Sequence, residues 1–257
     1  MKRLIFPIVA SVILLSSIIA MCCVGCTRQD PVSDEIKTYD ITSEIHSLHV
    51  SINAADFVIR YGDAFFVESN LKYLSLSENS GVLKIKDEAR NGKNYSNAIL
   101  NIYIPKNTVF EDVNVSAGAS KLTSDELSTK TLELELGAGE VNFKKLHVFD
   151  EAEIEGGAGQ VNVLDGAINA LDLKMGMGEF NLKAALTGDC ELEFGVGESN
   201  LVLIGKMEDY TVNIEKGIGA ITVNGKETSD FGCSGSGNNR IEIEGGVGAI
   251  NLLFQEN

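Results

Sequence analysis

The chain has 257 residues, and 21 Lys and Arg against 37 Asp and Glu give a formal net charge of −16. That balance excludes nucleic acid as a partner, because phosphate binding needs a basic face. A hydrophobic content of 44% excludes disordered and collagen-like chains and suits one large domain or two small ones.

Lys2 and Arg3 precede an almost unbroken apolar run over residues 4–24, followed by Gly25-Cys26. A basic start before such a run is an export signal. Val24-Gly25-Cys26 resembles the end of a bacterial lipobox, which makes Cys26 the expected lipid-attachment residue, although Cys23 stands where that motif has an aliphatic residue. The alternative is an uncleaved anchor, since the run is close to the ~20 residues that span a bilayer. Both readings put the rest of the chain on the extracytoplasmic face of a membrane. Residues 1–25 are therefore expected as signal sequence or anchor, 26–39 as a polar tether, and 40–257 as one domain. Only Cys190 and Cys233 lie in that domain; they could pair, but Cys190 falls in an apolar column of the repeat described below.

Period-two alternation begins after the tether. Leu48, Val50, Ile52, Phe57 and Ile59 fit a unit centred on Asn53, and Leu74, Leu76, Leu83 and Ile85 fit one centred on Asn79. Ile99 to Pro105 reads as a further strand, and Val113, Val115, Ala117 and Leu122 fit a unit centred on Ser116. From there a G-x-G tripeptide recurs roughly every twenty residues. It occurs at Gly137/Gly139, Gly157/Gly159, Gly176/Gly178, Gly195/Gly197, Gly217/Gly219 and Gly246/Gly248.

With the first Gly as position zero, the apolar positions are −5, −3 and +1, then +4 and +6. Such alternation marks strands, and the change of phase places a bend at the glycines, with +1 expected inward. Each unit reads as strand, corner, strand and return loop, and stacked units bury a stripe that one unit cannot. The expected fold is all-β: a single elongated parallel β-solenoid of about nine rungs, right-handed by the crossover rule. Asn142, Asn162, Asn181, Asn200 and Asn251 share position +5 and suit an inter-rung amide ladder. Asn224 to Arg240 interrupts the repeat as a surface insertion or a binding loop.

Outward positions −4 and −2 carry Glu133, Glu135, Glu153, Glu155, Glu191, Glu193, Glu242 and Glu244. Stacked acids repel, so the column either recruits a cation, calcium being the expected one, or keeps the domain soluble. No cofactor is otherwise expected. The G-x-G units lack the third Gly and following helix of a dinucleotide site. His46 and His49 face opposite sides of an extended stretch, and no Ser/His/Asp set is evident.

The segments SINAADFVIR, ENSGVLKIK, LNIYIPKNTVFEDVNVSAGASKL and LELELGAGEVNF resemble the DUF4097 group of toastrack-like β-repeat domains. The resemblance implies an exported, membrane-associated domain without known catalysis, of a kind often described as adhesins and in some relatives linked to cell-envelope stress signalling. Residues and resemblance together lead to a non-catalytic binding or adhesion-type module, with an unidentified protein or surface polymer as partner. The alternatives are an envelope regulator working through a membrane protein and, further off, a polysaccharide-active enzyme.

Overall fold

The computed structural model describes residues 30–90, 94–233, 235 and 237–256. The export segment and Cys26 lie outside the described residues. The described residues are all-β, and their 17 strands belong to one sheet whose pairings are mostly parallel.

Strands β1 (Val32–Asp40), β2 (Ser47–Ile52), β3 (Asp56–Gly62), β4 (Phe66–Leu71), β5 (Leu74–Asn79), β6 (Val82–Asp87) and β7 (Ile99–Pro105) build the N-terminal end. β2 and β3 form a rung bent near Asn53, and β6 and β7 lie parallel along one of its edges. Beyond them the direction changes: β5 is antiparallel to β6, β4 to β7, and β1 to β4. Two expectations are corrected here. The unit centred on Asn79 is a hairpin, because Ser80 and Gly81 both have positive φ (51° and 79°) and turn the chain back on itself. Val32–Asp40, most of which was expected in the polar tether, is strand β1, antiparallel to β4 with Lys37 to Asp40 opposite Ser69 to Phe66 and a register shift back to Val32 opposite Leu71.

The other edge of β2 and β3 carries β8 (Phe110–Ser124). On it are stacked, each parallel to the last, β9 (Leu127–Phe143), β10 (Leu146–Val163), β12 (Leu171–Thr187) and β13 (Asp189–Ile204). The return segments are not simple loops. Leu146, His147 and Val148 pair with Leu127 to Thr129 on one side and with β11 (Gly166–Asn169) on the other. β11 in turn pairs with the end of β12. A central rung therefore has three strand segments.

Inward columns run through this stack. Leu132, Ala152, Leu171 and Cys190 form one, Val141, Val161, Phe180 and Ser199 another, and all are buried. Each buried Leu, Ile or Phe contributes about 1.5–3 kcal/mol relative to exposure, so every added rung deepens a shared core. Cys190 and Cys233 are both free thiols, and burial raises the Cys190 pKa.

The expected bend is present at the glycines, and the two strands it was expected to join are a single one. The corner is a bend inside one continuous strand, not a break between two: Gly137 and Gly139 both lie within β9, and both are exposed. Pairing skips position zero, as between Gly156/Leu136 and Ala158/Ala138, and then resumes. Gly139 accordingly keeps a ladder partner on either side, Ser120 on β8 and Gly159 on β10. The physical reason is its φ of +138°, which turns the strand at the surface while the ladder continues through it.

This bend is also the most closely packed backbone of the stack. A Cβ on Gly139 would collide with the carbonyl oxygen of Ser120, and one on Gly178 with that of Gly159, where φ is +133°. The first Gly of each corner answers a different need: at Gly137 a Cβ would lie 2.6 Å from the Gly118 oxygen. Further along each rung, at position +5, the amide ladder closes. Asn162 donates to Asn142 at 2.8 Å, Asn181 to Asn162 at 2.8 Å, Asn200 to Asn181 at 2.9 Å and Asn251 to Asn200 at 2.8 Å.

That last bond joins residues far apart in sequence and reveals another departure. The strands of the C-terminal end are β14 (Tyr210–Val223), β15 (Lys226–Thr228), β16 (Phe231–Cys233) and β17 (Asn239–Gln255). β17, not β14, lies against β13, and β14 lies on the far side of β17. Sequential stacking, the simplest form of the repeat, is thus broken at the last two rungs. The segment expected as a surface insertion or binding loop makes the exchange possible. β15 and β16 pair antiparallel with the outer edge of β14, and Phe231 and Cys233 pack half-buried against the core. A row of unpaired amides and carbonyls is thereby partly covered, which limits edge-to-edge association.

Candidate binding groove

An open groove of about 950 Å³ runs along the outside of the corner across β8, β9, β10, β12, β13 and β17. Five strand spacings of ~4.8 Å make it about 24 Å long. Its floor is formed by the corner glycines with Leu136, Met175 and Phe194, and its wall by Glu135, Glu155, Lys174, Glu193 and Glu244. Two glycines at position −1 give way to neighbouring side chains: a Cβ on Gly156 would strike the Met175 thioether, and one on Gly245 the Ile250 side chain.

The parallel register brings the expected acids together in two outward columns. Glu133, Glu153, Asp172, Glu191, Glu242 and Asn213 follow one another in one, and Glu135, Glu155, Lys174, Glu193, Glu244 and Glu215 in the other. The columns contain partners of their own. Lys174 Nζ lies 3.3 Å from Asp172 Oδ2 and stands between Glu155 and Glu193. The bond to Asp172, its charge and the two flanking carboxylates raise the Lys174 pKa. Asn114 Nδ2 donates to Glu133. Towards the N-terminal end the same columns turn basic, through His49, Lys84 and Lys86. Among the described residues, no three His, Cys, Asp or Glu side chains form a group that could hold a metal ion.

His49 Nε2 lies 2.5 Å from Asp112 Oδ2, and Thr131 Oγ1 donates to the other oxygen of Asp112 at 3.2 Å. The carboxylate sits between imidazole and hydroxyl, so this trio lacks the hydroxyl-to-imidazole contact that would activate a nucleophile.

One column was assigned the wrong direction. Position +1 was expected inward, but the phase changes earlier, immediately after position −1, where Leu136 and Met175 are buried. Position +1 therefore faces solvent. Ala119, Ala138 and Ala158 occupy it on β8, β9 and β10. Met177, Val196, Val247 and Ile218 occupy it on β12, β13, β17 and β14, with 57%, 50%, 47% and 75% exposure. The signal available in the sequence was the pair of glycines itself, since a residue between two such tight backbone contacts has no interior to enter.

A family model described as Toastrack DUF4097 matches residues 36–253. The chain belongs to that family. Several solved structures resemble this DUF4097 chain. One is a proposed cell adhesion protein from Clostridium sporogenes, with 15% identity, a TM-score of 0.36, and coverage of 86% of this chain and 99% of that one. Another is a proposed adhesin from Parabacteroides merdae, with 11% identity, a TM-score of 0.37, and coverage of 88% and 96%. A third is a proposed lipid-binding protein from Parabacteroides distasonis, with 13% identity, a TM-score of 0.41, and coverage of 88% and 99%. No curated protein matches the chain in sequence. Among the described residues no helix is long and apolar enough to cross a membrane.

Proposed function

We propose that the chain is a non-catalytic binding or adhesion-type module, held on the extracytoplasmic face of a membrane by its N-terminus. The observation that carries this is the open groove across six neighbouring strands. A repeating scaffold offers such a surface to an elongated ligand, protein or polymer, without needing a deep pocket. The basic start, the apolar run and Gly25-Cys26 support export with lipidation or anchoring. On this reading residues 1–25 serve as signal or anchor, and the folded domain begins at or shortly before residue 36.

The test is to label the full chain and titrate it onto intact cells and isolated envelopes of the producing organism, alongside protease shaving of those cells. Saturable binding, competed by unlabelled chain, with the domain accessible to protease, supports the reading. Linear, uncompeted association, or a domain protected inside the cell, overturns it. A second reading, an envelope regulator acting through a membrane protein, is favoured by the solvent-facing apolar residues at position +1.

A further inference from the structure

We infer that Met177, Val196, Val247 and Ile218 form a docking ridge for a basic amphipathic helix of a partner protein. This rests on the binding-module reading and specifies its partner. The four residues lie on successive strands; Met177, Val196 and Val247 follow directly after glycines that floor the groove, and Ile218 continues the row one strand beyond it. The molecule contains its own control for their size. On β8, β9 and β10 the same lattice position, in the same corner geometry, is filled by Ala119, Ala138 and Ala158. The corner therefore does not require a bulky residue. Side chains this large and this exposed gain little from the fold that displays them, and a contiguous apolar strip with a polar rim marks an interaction site.

Spacing and charge select the occupant. Successive ridge residues stand ~4.8 Å apart along the stack. A helix lying parallel to the stack axis presents side chains on one face at about 5–6 Å, from positions three and four apart. An extended strand would present alternate side chains at roughly 6.6 Å and lose register within a few residues. On one side of the ridge, at position −2, Lys174 is followed by Glu193, Glu244 and Glu215, and on the other, at position +3, Glu179 and Glu198 are followed by Ala249 and Ala220, so acids outnumber the single lysine. Basic residues flanking the apolar stripe of the incoming helix would meet these carboxylates. The same charges oppose a second copy laid ridge to ridge and an anionic lipid surface. Met177 adds a flexible, polarizable contact suited to helices of differing shape.

The experiment uses the full chain in nonionic detergent, passed over an immobilised, stapled helical peptide that carries one Leu stripe flanked by Lys, with micelles alone as blank. A scrambled peptide of the same composition reports binding by charge alone. The variant carries Met177→Ala, Val196→Ala, Val247→Ala and Ile218→Ala, which the alanines of β8, β9 and β10 show the corner tolerates. The expected result is saturable binding to the striped helix, at least tenfold weaker for the variant, with an unchanged melting temperature. Equal binding of both peptides, or equal binding by both proteins, overturns the proposal, as does no binding. Self-association of the wild type that the variant loses would assign the ridge to a second copy, and retention on zwitterionic vesicles would assign it to lipid; either also overturns it. Failure here leaves saturable cell-surface binding intact, whereas a domain found inside the cell would overturn the module reading and leave this titration unaffected.

Discussion

The middle of the stack and its two ends solve the same packing problem differently. From β8 to β13 each rung rests on the one before it in sequence, and the glycine corner lets the backbone repeat without reversing. At both ends the chain passes beyond a vacant layer, turns back through antiparallel strands, and then fills that layer. At the N-terminal end β6 and β7 come to lie between the rung of β2 and β3 and the outer strands β4 and β5. At the C-terminal end β17 enters between β13 and β14. Parallel stacking propagates a core, whereas antiparallel turns terminate one and leave less of its edge unpaired.

The largest difference between these regions should appear at their glycines. Gly178→Val places a branched side chain against the Gly159 carbonyl at a φ of +133°, and should cost more than about 4 kcal/mol, enough to abolish a cooperative melt. Gly225→Ala, in the turn between β14 and β15, has no atom within 4 Å of its new Cβ and should cost only about 1–2 kcal/mol through its φ of +76°. Equal losses in the two variants, followed by circular dichroism, would remove the distinction between a packed corner and an open turn.

The amide ladder sharpens the comparison at intermediate size. Asn181 donates to Asn162 and accepts from Asn200, so Asn181→Ala breaks two bonds and should cost about 1–3 kcal/mol. The ladder runs to Asn251 on β17, whose neighbour on β14 is Thr222. Thr222→Asn should extend it and raise stability by about 0.5–1 kcal/mol. If the C-terminal rungs were stacked in sequence order, residue 222 would instead adjoin Asn200, and Asn251 would not donate there. Combining Asn200→Ala with Thr222→Asn separates the orders. In the observed one, β17 intervenes and the two effects add to within about 0.5 kcal/mol.

A third difference is one of pH. At the N-terminal end the Tyr95 hydroxyl donates to Asp87 Oδ2 at 2.7 Å, and Asn53 Nδ2 donates to the same oxygen at 2.8 Å. Burial, then the bond to Asp87, raises the Tyr95 pKa to about 12. An unfolded tyrosine ionises near 10. The contribution of this group is therefore complete below pH 10 and is lost as pH rises through 12. Tyr95→Phe should lower stability at neutral pH and flatten its fall over that alkaline range in urea titrations.

Much of this was legible in residue order, and what was not has identifiable causes. The six G-x-G units and their flanking alternation define the parallel central rungs because each unit carries its own bend. That the bend leaves the strand unbroken was hidden, since a change of phase at Gly137 and Gly139 looks the same whether pairing stops there or resumes. Segment order at the C-terminal end was hidden, since units with the same apolar columns can be exchanged without changing any local pattern. The hairpin at Ser80-Gly81 was hidden because alternation has the same period in parallel and antiparallel strands, and only the turn separates them. The groove itself was foreshadowed by its Glu columns, but the ridge was not. Period-two counting placed position +1 inward, while the close backbone approach at Gly176 and Gly178 leaves the intervening Met177 no way in.

The smallest expected effect concerns whether the acidic columns do anything beyond keeping the domain soluble. Glu135 lies opposite Glu155 on β10 and Ser116 on β8, so Glu135→Gln relieves one like-charge contact without altering shape. In calcium-free buffer this should be neutral or stabilising by up to about 0.5 kcal/mol, and 1 M salt should erase the gain. Calcium distinguishes the two roles. If the column recruits the ion, melting of the full wild-type chain will rise with calcium and Glu135→Gln will blunt the rise, reversing the sign of the substitution. If both proteins respond to calcium only as they do to an equal ionic strength of sodium chloride, the column is a solvated face. The ammonium of Lys174, already seated between Glu155 and Glu193, favours that second outcome, because it supplies from within the chain part of the charge that an added cation would bring.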